Sequence, residues 1–169
     1  MNFLDLAQKR YSVRGYTSDP VEPAKLDAIL QAARNAPTAA NRQPFRVFVI
    51  ETQQHREALK ELYARDWFVQ PPLVLAIAAV LDEAWTRKYD DENYAVVDAT
   101  IAFDHMILQA ADLGLGTCWI AAFDPDKARQ LLNLPDTWKP VAFTPLGYPA
   151  DDGREKNRRD LEDLVHYMR

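Results

Sequence analysis

Two clusters of cationic side chains stand near opposite ends of a chain whose formal net charge is −5 at pH 7. Arginine guanidinium groups present planar, multi-donor forks that suit phosphate oxygens, and a serine hydroxyl adds a further donor. If folding brings the two ends together, their side chains would form a pocket for a phosphorylated ligand. The first cluster consists of Arg10, Tyr11, Ser12, Val13 and Arg14, and the second runs from Arg154 to Arg159 and contains Lys156 and Arg158.

Each cluster also has an ordinary structural interpretation. Cations near a helix end interact favourably with the negative end of the helix dipole, so Arg10 and Arg14 could simply be solvated there. Lys156 and Arg158 could likewise belong to a solvated tail. Both clusters occur in one chain together with the loop described next, and this combination favours a shared ligand over a coincidence.

A loop rich in amides and small residues occupies positions 35–44, between a predicted helix and a predicted strand. The alanines at its centre, Ala39 and Ala40, allow a ligand to approach the backbone closely. The side chains of Asn41 and Gln43 can each donate and accept hydrogen bonds. Such a loop suits the edge of a heteroaromatic ring that alternates donors and acceptors, and an ordinary helix-to-strand connection is the alternative.

We find no set of side chains in the sequence that could catalyse a reaction by itself. The three histidines show no metal-ligand spacing with one another or with Cys118. Neither a dinucleotide-binding GxGxxG motif nor a GxxxxGK phosphate loop is present. Cys118 lies in an apolar segment, which indicates a buried, inert thiol. If the protein is an enzyme, a cofactor must therefore supply its chemistry.

The composition predicts a single domain, residues 1–169, in a reducing cytoplasmic compartment. A chain of 169 residues that is 48% hydrophobic can bury a substantial core. Its acidic balance argues against a nucleic-acid partner, and one cysteine excludes an internal disulfide framework. The N-terminus lacks the pattern of a secretory signal. The longest apolar stretch, 71–81, is too short to span a bilayer, so no membrane partner is expected.

Helix and strand patterns alternate along the chain, and this alternation by itself favours a parallel α/β sheet. The longest predicted helix, over 92–113, is apolar nearly all round, which indicates burial and suggests a place in a subunit interface. Helices are predicted from about residue 3 to the Arg10 segment, from Pro23 to before Pro37, and over 53–63, 92–113, 126–132 and 161–167. Strands are predicted at 45–50, 73–80, 117–121 and 141–146.

Five segments, in this order, resemble the nitroreductase family of FMN-dependent oxidoreductases. Each segment alone is a weak signal, and five in register are a strong one. The likeness extends from near residue 3 to near residue 166, which is essentially the whole chain. The matching segments are residues 10–14, 36–45, 113–120, 145–149 and 156–158.

The resemblance implies an α+β fold in three layers, with a central, mostly antiparallel sheet flanked by helices, instead of the parallel sheet that alternation favours. It also implies an intertwined homodimer with two FMN sites at the subunit interface. In such a protein, FMN accepts hydride from NADH or NADPH. In a ping-pong sequence it then reduces a small, electron-poor acceptor such as a nitroaromatic compound or a quinone.

The resemblance also assigns cofactor contacts by position. The phosphate and ribityl end would be held by Arg10, Tyr11, Ser12 and Arg14, with Lys156 and Arg158 closing on the same phosphate. The loop that lines the isoalloxazine ring would come from the other subunit and contain Pro37, Thr38, Ala39, Asn41 and Gln43. The opposite face of the ring would be covered by Trp119, Ile120, Leu146 and Gly147.

The chain departs from longer relatives in two places. Those relatives carry an inserted helical excursion over the substrate channel, and here segment 82–93 is the only place for even a short cover. Where many relatives have an amide or a lysine, this chain has Arg65, Asp66 and Trp67, and Trp67 either shields the ring or packs. Two other functions stay open: an FMN-binding module for storage or redox sensing without turnover, and a dimeric scaffold without a cofactor.

Overall fold

In the computed structural model, which describes residues 2–153 and 155–169, helices pack on both faces of a four-stranded antiparallel sheet. The strand order is β1-β2-β6-β5, and a separate hairpin pairs β3 with β4. The strands are β1 (Phe45–Glu51), β2 (Leu73–Val80), β3 (Thr86–Arg87), β4 (Glu92–Asn93), β5 (Gly116–Thr117) and β6 (Trp138–Gly147). The α+β architecture with a mostly antiparallel sheet is therefore confirmed.

In the described part of the chain, six α-helices surround the sheet, and three short 3-10 helices lie in the loops. The α-helices are α1 (Phe3–Lys9), α2 (Pro23–Arg34), α3 (Thr52–Leu62), α4 (Ala95–Asp112), α5 (Pro125–Leu132) and α6 (Leu161–Leu164). The 3-10 helices are Ala39–Asn41, Asp66–Val69 and Leu81–Glu83. Helices α1, α2 and α5 begin at a side-chain cap or a proline, namely Asn2, Pro23 and Asp124.

The central strand β2 separates two apolar clusters, because alternate side chains of a strand point to opposite faces. Leu75 and Ile77 pack into the cluster that contains residues of α2 and α4. Val74 and Ala76 pack into the cluster that contains residues of α3 and α5. Burying an aliphatic side chain of this size contributes about 1.5–3 kcal/mol. The near-continuous apolar run of β2 thus becomes the middle of three layers.

Helix α4 is buried along one side, where small residues let it approach α2 and the sheet closely. Ala99 and Ala102 are fully buried, whereas Val97 is 44% exposed in the single chain. The helix begins at Ala95, later than predicted, because Glu92–Asn93 pairs with the other hairpin strand. The side chain of Asn93 then accepts a hydrogen bond from the Ala95 N–H at 3.0 Å. Because Val97 is exposed, the prediction that this helix is buried all round is wrong for the isolated chain.

The parallel sheet that alternation favours is wrong, because every pair of neighbouring strands in the four-stranded sheet is antiparallel. The end of β1 pairs with the start of β2, at Glu51 and Leu73. Helix α3 and the following segment therefore lead away from the sheet and back without crossing it. Alternating helix and strand patterns do not distinguish a returning connection from a crossing one.

The strand predicted at 117–121 is interrupted after Thr117. The N–H of Cys118 donates to the side-chain Oγ1 of Thr144, at 2.9 Å, instead of to a main-chain carbonyl. Pairing resumes only at Ile120, which bridges to Phe143. A side-chain acceptor inside β6 therefore divides the strand.

An extended N-terminal segment borders the sheet next to β5 and connects the chain's two ends. Ser12 forms a parallel bridge with Thr117, and the Val13 N–H donates to the Thr117 carbonyl at 2.9 Å. Further along, the Ala150 N–H donates to the Gly15 carbonyl at 2.8 Å. The first cationic cluster is thereby fixed beside the loop that leaves β6.

We predict that Gly116→Ala lowers the free energy of unfolding by about 1–3 kcal/mol, the usual effect of an overpacked core. A Cβ atom at Gly116 would lie 2.8 Å from Val13 Cγ2, within the contact that holds the N-terminal segment on the sheet. Val13→Ala removes both γ-carbons from this contact and leaves only the Cβ atom at 3.0 Å, so the double variant should lose less stability than the sum of the single variants. Urea unfolding of all three variants measures the coupling, and strictly additive losses would contradict the contact.

Candidate functional site

The two cationic clusters meet in a pocket of about 230 Å³. The prediction that folding brings the ends of the chain together is confirmed. Residue Arg154 lies outside the described residues. The pocket is lined by Arg10, Tyr11, Ser12 and Arg14 from the first cluster and by Asp151, Asp152, Gly153, Glu155, Lys156, Asn157 and Arg158 from the second segment.

Asp151 joins the two walls of this pocket. Its Oδ2 accepts the backbone N–H of Arg14 at 2.8 Å, and its carbonyl oxygen accepts the hydroxyl of Tyr11 at 2.8 Å. The Tyr11 ring packs against the backbone of Gly153, where an added Cβ would lie 2.8 Å from the ring. Burial and the neighbouring Asp151 raise the pKa of the Tyr11 phenol, so the hydroxyl stays a donor.

Lys156 connects the late cluster to the first helix. Its ammonium donates to the carbonyl oxygen of Ala7, at 2.7 Å, and to that of Gln8. Both carbonyls belong to the last turn of α1, where a cation is favourable. Desolvation, followed by repulsion from Arg10 and Arg158, lowers the pKa of Lys156. The cations are therefore close enough to repel one another, and an anion between them would relieve that repulsion.

Arg14 also faces a second, aromatic wall. Its guanidinium lies 5.9 Å from the centroid of the Trp67 ring, and it donates to the Ser12 carbonyl at 3.2 Å. The Trp67 ring packs edge-on against Tyr63, with centroids 5.8 Å apart. Trp67 was expected either to shield the ring of the cofactor or to pack. In the structure it packs against Tyr63, and its ring lies beside the Arg14 guanidinium.

The amide loop is an exposed, tightly turned segment away from this pocket. Ala40, Asn41 and Gln43 have φ angles of 51°, 55° and 53°, in the left-handed region that residues other than glycine seldom adopt. The Gln43 N–H donates to Thr38 Oγ1 at 3.0 Å, and the Gln43 side-chain amide donates to the Asn41 carbonyl at 3.1 Å. Pro37 is also exposed. Among the described residues, those that line the cationic pocket include none from this loop.

The four residues expected at the opposite ring face are mostly buried in the single chain. Ile120 and Leu146 belong to the core, and the Ile120 N–H already donates to the Phe143 carbonyl at 2.8 Å. Gly147 lies against Pro71, at a distance where a Cβ would clash. Trp119 is half-buried and packs edge-on against Phe103, with centroids 4.8 Å apart. The structure does not bring these residues to the cationic pocket.

Cys118 is buried, as its apolar neighbours predict, and burial raises the pKa of its thiol despite the nearby Arg14. Within residues 2–153 and 155–169, no three acidic, cysteine or histidine side chains form a group that could hold a metal ion. No helix in the same part of the chain is long and apolar enough to cross a membrane.

Two carboxylates escaped the sequence analysis. Asp151 gave no signal, because its partners lie about 140 residues away in the sequence. Asp98 did leave a signal in the sequence, because it is an acidic residue on the side of α4 that otherwise carries apolar residues, including Ala95, Ala99 and Ala102. It is buried, and its Oδ1 accepts the Ala39 N–H at 2.9 Å.

Comparisons with known proteins agree with this architecture. A sequence model of the nitroreductase family matches residues 7–72 and 51–148. A protein of Thermus thermophilus named NADH dehydrogenase is 30% identical over 189 residues, covering 94% of this chain and 92% of that protein. A protein of Bacillus subtilis named FMN reductase [NAD(P)H] is also 30% identical, over 92% of this chain and 69% of that protein.

A solved structure extends the likeness to three dimensions. A nitroreductase family protein from Clostridium difficile is 37% identical and superposes with a TM-score of 0.91, covering 99% of this chain and 98% of that one. The match includes the flanked antiparallel sheet and both ends of the chain. On the sequence match from residue 7 to residue 148 and on this superposition, the chain belongs to the nitroreductase family.

Proposed function

We propose that this protein is an FMN-dependent NAD(P)H oxidoreductase that holds the phosphate of FMN between its two cationic clusters. The observation that carries the proposal is the convergence of Arg10, Arg14, Lys156 and Arg158 on one pocket. When bound, FMN supplies hydride acceptance from NADH or NADPH and the subsequent reduction of an electron-poor acceptor, such as a nitroaromatic compound or a quinone, in a ping-pong sequence.

The pocket fits the phosphate end of this cofactor. Its volume of about 230 Å³ is below the roughly 300–1,000 Å³ typical of sites that enclose a whole drug-sized ligand. Arginine forks and a lysine supply charged donors for phosphate oxygens, and the repulsion that lowers the pKa of Lys156 favours an anion at this place. The Ser12 hydroxyl and the backbone of Tyr11 add neutral groups beside them.

We further propose an intertwined homodimer in which the ring of FMN extends from this pocket toward the partner subunit. The amide loop of Pro37, Thr38, Ala39, Asn41 and Gln43 would line that ring from the other chain. The exposure of most of this loop supports the arrangement, as does its absence from the described residues that line the pocket of its own chain.

Apolar side chains exposed at both chain ends support the same pairing. Leu161 and Leu164 are 73% and 60% exposed, and Phe3 and Leu4 are similarly open. A large exposed apolar patch indicates an interaction surface. In the dimer we assign the opposite ring face to the neighbourhood of Trp119 and of Gly147. The buried side chains of Ile120 and Leu146 would support that face from behind.

The chain's own contribution to the reaction is therefore binding and orientation. Cationic side chains fix the phosphate, and the partner's loop fixes the plane of the ring. A Lys or Arg side chain near the pyrimidine edge of the ring, or backbone N–H groups, would stabilise negative charge on the reduced ring. Protons can come from solvent.

Anaerobic titration tests the activity itself. The FMN-loaded protein should lose its visible flavin absorbance on addition of NADH or NADPH and regain it on addition of a quinone. Initial rates that give parallel double-reciprocal lines would support the ping-pong order. Failure of both nicotinamide cofactors to bleach the bound FMN would refute the proposal. Bleaching without steady-state acceptor reduction would favour the storage or sensing module.

Replacing both Arg10 and Arg14 with alanine should weaken FMN binding by about 3–6 kcal/mol, because a hydrogen bond to a charged group contributes roughly 1.5–3 kcal/mol. Fluorescence titration with FMN measures the change. Arg159→Ala is the matched control, since Arg159 is an exposed cation of the same tail that does not line the pocket. An unchanged FMN affinity in the double variant would remove both arginines from the phosphate role.

FMN affinity should fall at alkaline pH earlier than an ordinary lysine would allow. The pKa of Lys156 is lowered in the free protein, so its ammonium loses its proton at a lower pH than a solvated lysine. A bound phosphate stabilises the charged form, and binding therefore takes up a proton once the pH exceeds that lowered pKa. Lys156→Arg, whose charge persists, should shift the loss to higher pH. Riboflavin, which lacks the phosphate, is the ligand control, and identical pH profiles for both proteins would contradict the assignment.

A further inference from the structure

Asp98 is an acidic residue on the buried side of α4, among apolar neighbours such as Ala99 and Ala102. It is 2% exposed, and its Oδ1 accepts one hydrogen bond, from the Ala39 N–H at 2.9 Å. Within residues 2–153 and 155–169, its Oδ2 is buried without a hydrogen-bond partner. Burying a polar side-chain atom without a hydrogen-bond partner is unfavourable. Packing alone therefore does not account for this residue.

The loop that Asp98 contacts is strained. Ala40, Asn41 and Gln43 all have positive φ angles, a backbone conformation that is unfavourable for residues other than glycine. Ala40 has no polar side chain that could offset this cost locally. The conformation therefore needs external anchors to persist.

Two backbone N–H groups of this loop, those of Ala39 and Gln43, donate to side-chain oxygens. Thr38 Oγ1 accepts the Gln43 N–H, but Thr38 belongs to the loop itself. Asp98 belongs to α4, so its bond with the Ala39 N–H ties the loop to the core. A carboxylate accepts such a bond more strongly than a neutral group does. Because Oδ2 is sealed inside the protein, Asp98 does not reach a ligand directly.

We propose that Asp98 is a positioning residue for the flavin ring. By holding Ala39, it keeps the loop in its left-handed turn, and the turn sets the direction in which Asn41 and Gln43 present their amides to the ring. This inference rests on the proposed function, in which the loop lines the ring bound by the partner subunit. Asp98 thus acts on the partner's cofactor through one backbone N–H.

The test compares Asp98→Ala with Asp98→Asn in the FMN-loaded protein. Asp98→Ala should change the visible circular dichroism of bound FMN and lower kcat/KM for NAD(P)H by about tenfold or more, since small misplacements of a reacting group have effects of that size. FMN affinity should change less than in the Arg10/Arg14 double variant, because the phosphate contacts stay intact. Asp98→Asn keeps the acceptor oxygen and should restore most of both readouts.

Control variants separate positioning from general destabilisation. Asp104→Ala removes an exposed carboxylate from the same helix and should leave the flavin spectrum unchanged. Thr38→Val removes the other anchor of the loop and should change the spectrum in the same direction as Asp98→Ala, which keeps the test informative if the latter folds poorly. A normal flavin spectrum and normal kcat/KM in Asp98→Ala, with only a lower Tm, would overturn the inference.

Mixed dimers locate the effect. When Asp98→Ala stands on one subunit and the Arg10/Arg14 double variant on the other, both changes should fall on the same site, and one site should keep full activity. When all three changes stand on one subunit, each site should carry one defect. Equal activity in the two arrangements would overturn the action across the interface. Absence of FMN binding to the unmodified protein would instead refute the proposed function.

Discussion

The pairing of residues 12–17 with the edge of the sheet is the interaction on which the rest of the site depends. One end of this segment joins β5 through Val13 and Thr117, and the other joins the loop after β6 through Gly15 and Ala150. These main-chain bonds bring side chains that are almost the whole chain apart into one pocket. Asp151 then completes the closure by accepting the Arg14 N–H.

The same arrangement explains why the pocket tolerates so much positive charge. Its cations are held by main-chain geometry and by neutral partners: Lys156 by carbonyls of α1, Arg14 by the Ser12 carbonyl and the Trp67 ring. The carboxylate of Asp151 is occupied with an N–H and a phenol. Among the described residues that line the pocket, four cations stand against three carboxylates, so a net positive charge is left to act on a ligand.

Local sequence signals predicted the elements well where they were strong. The apolar run of β2 and the proline that opens α2 were located correctly, because burial on two faces and a fixed φ are properties of a few consecutive residues. The antiparallel direction of neighbouring strands was predicted only from the family resemblance. The gap after Thr117 depends on Thr144, a residue of another strand, so no local pattern could reveal it.

The site divides in the same way. Both cationic clusters were recognisable by residue type, and the structure brings them together as expected. Asp151 was not recognisable, because an acidic residue in a polar loop is common and its partner Arg14 lies 137 positions away. Asp98 was recognisable as an acidic residue among the apolar positions of α4. Its role depends on the left-handed conformation of the loop at Ala40, Asn41 and Gln43, which the sequence does not predict.

One consequence of building the pocket from both chain ends concerns the timing of its assembly. A ribosome makes the early arginines long before it makes β6, Lys156 and Arg158. A nascent chain therefore cannot form the complete pocket until Lys156 and Arg158 have left the exit tunnel. In the proposed function, the cofactor phosphate can bind between both clusters only after that point, so it does not guide the beginning of folding.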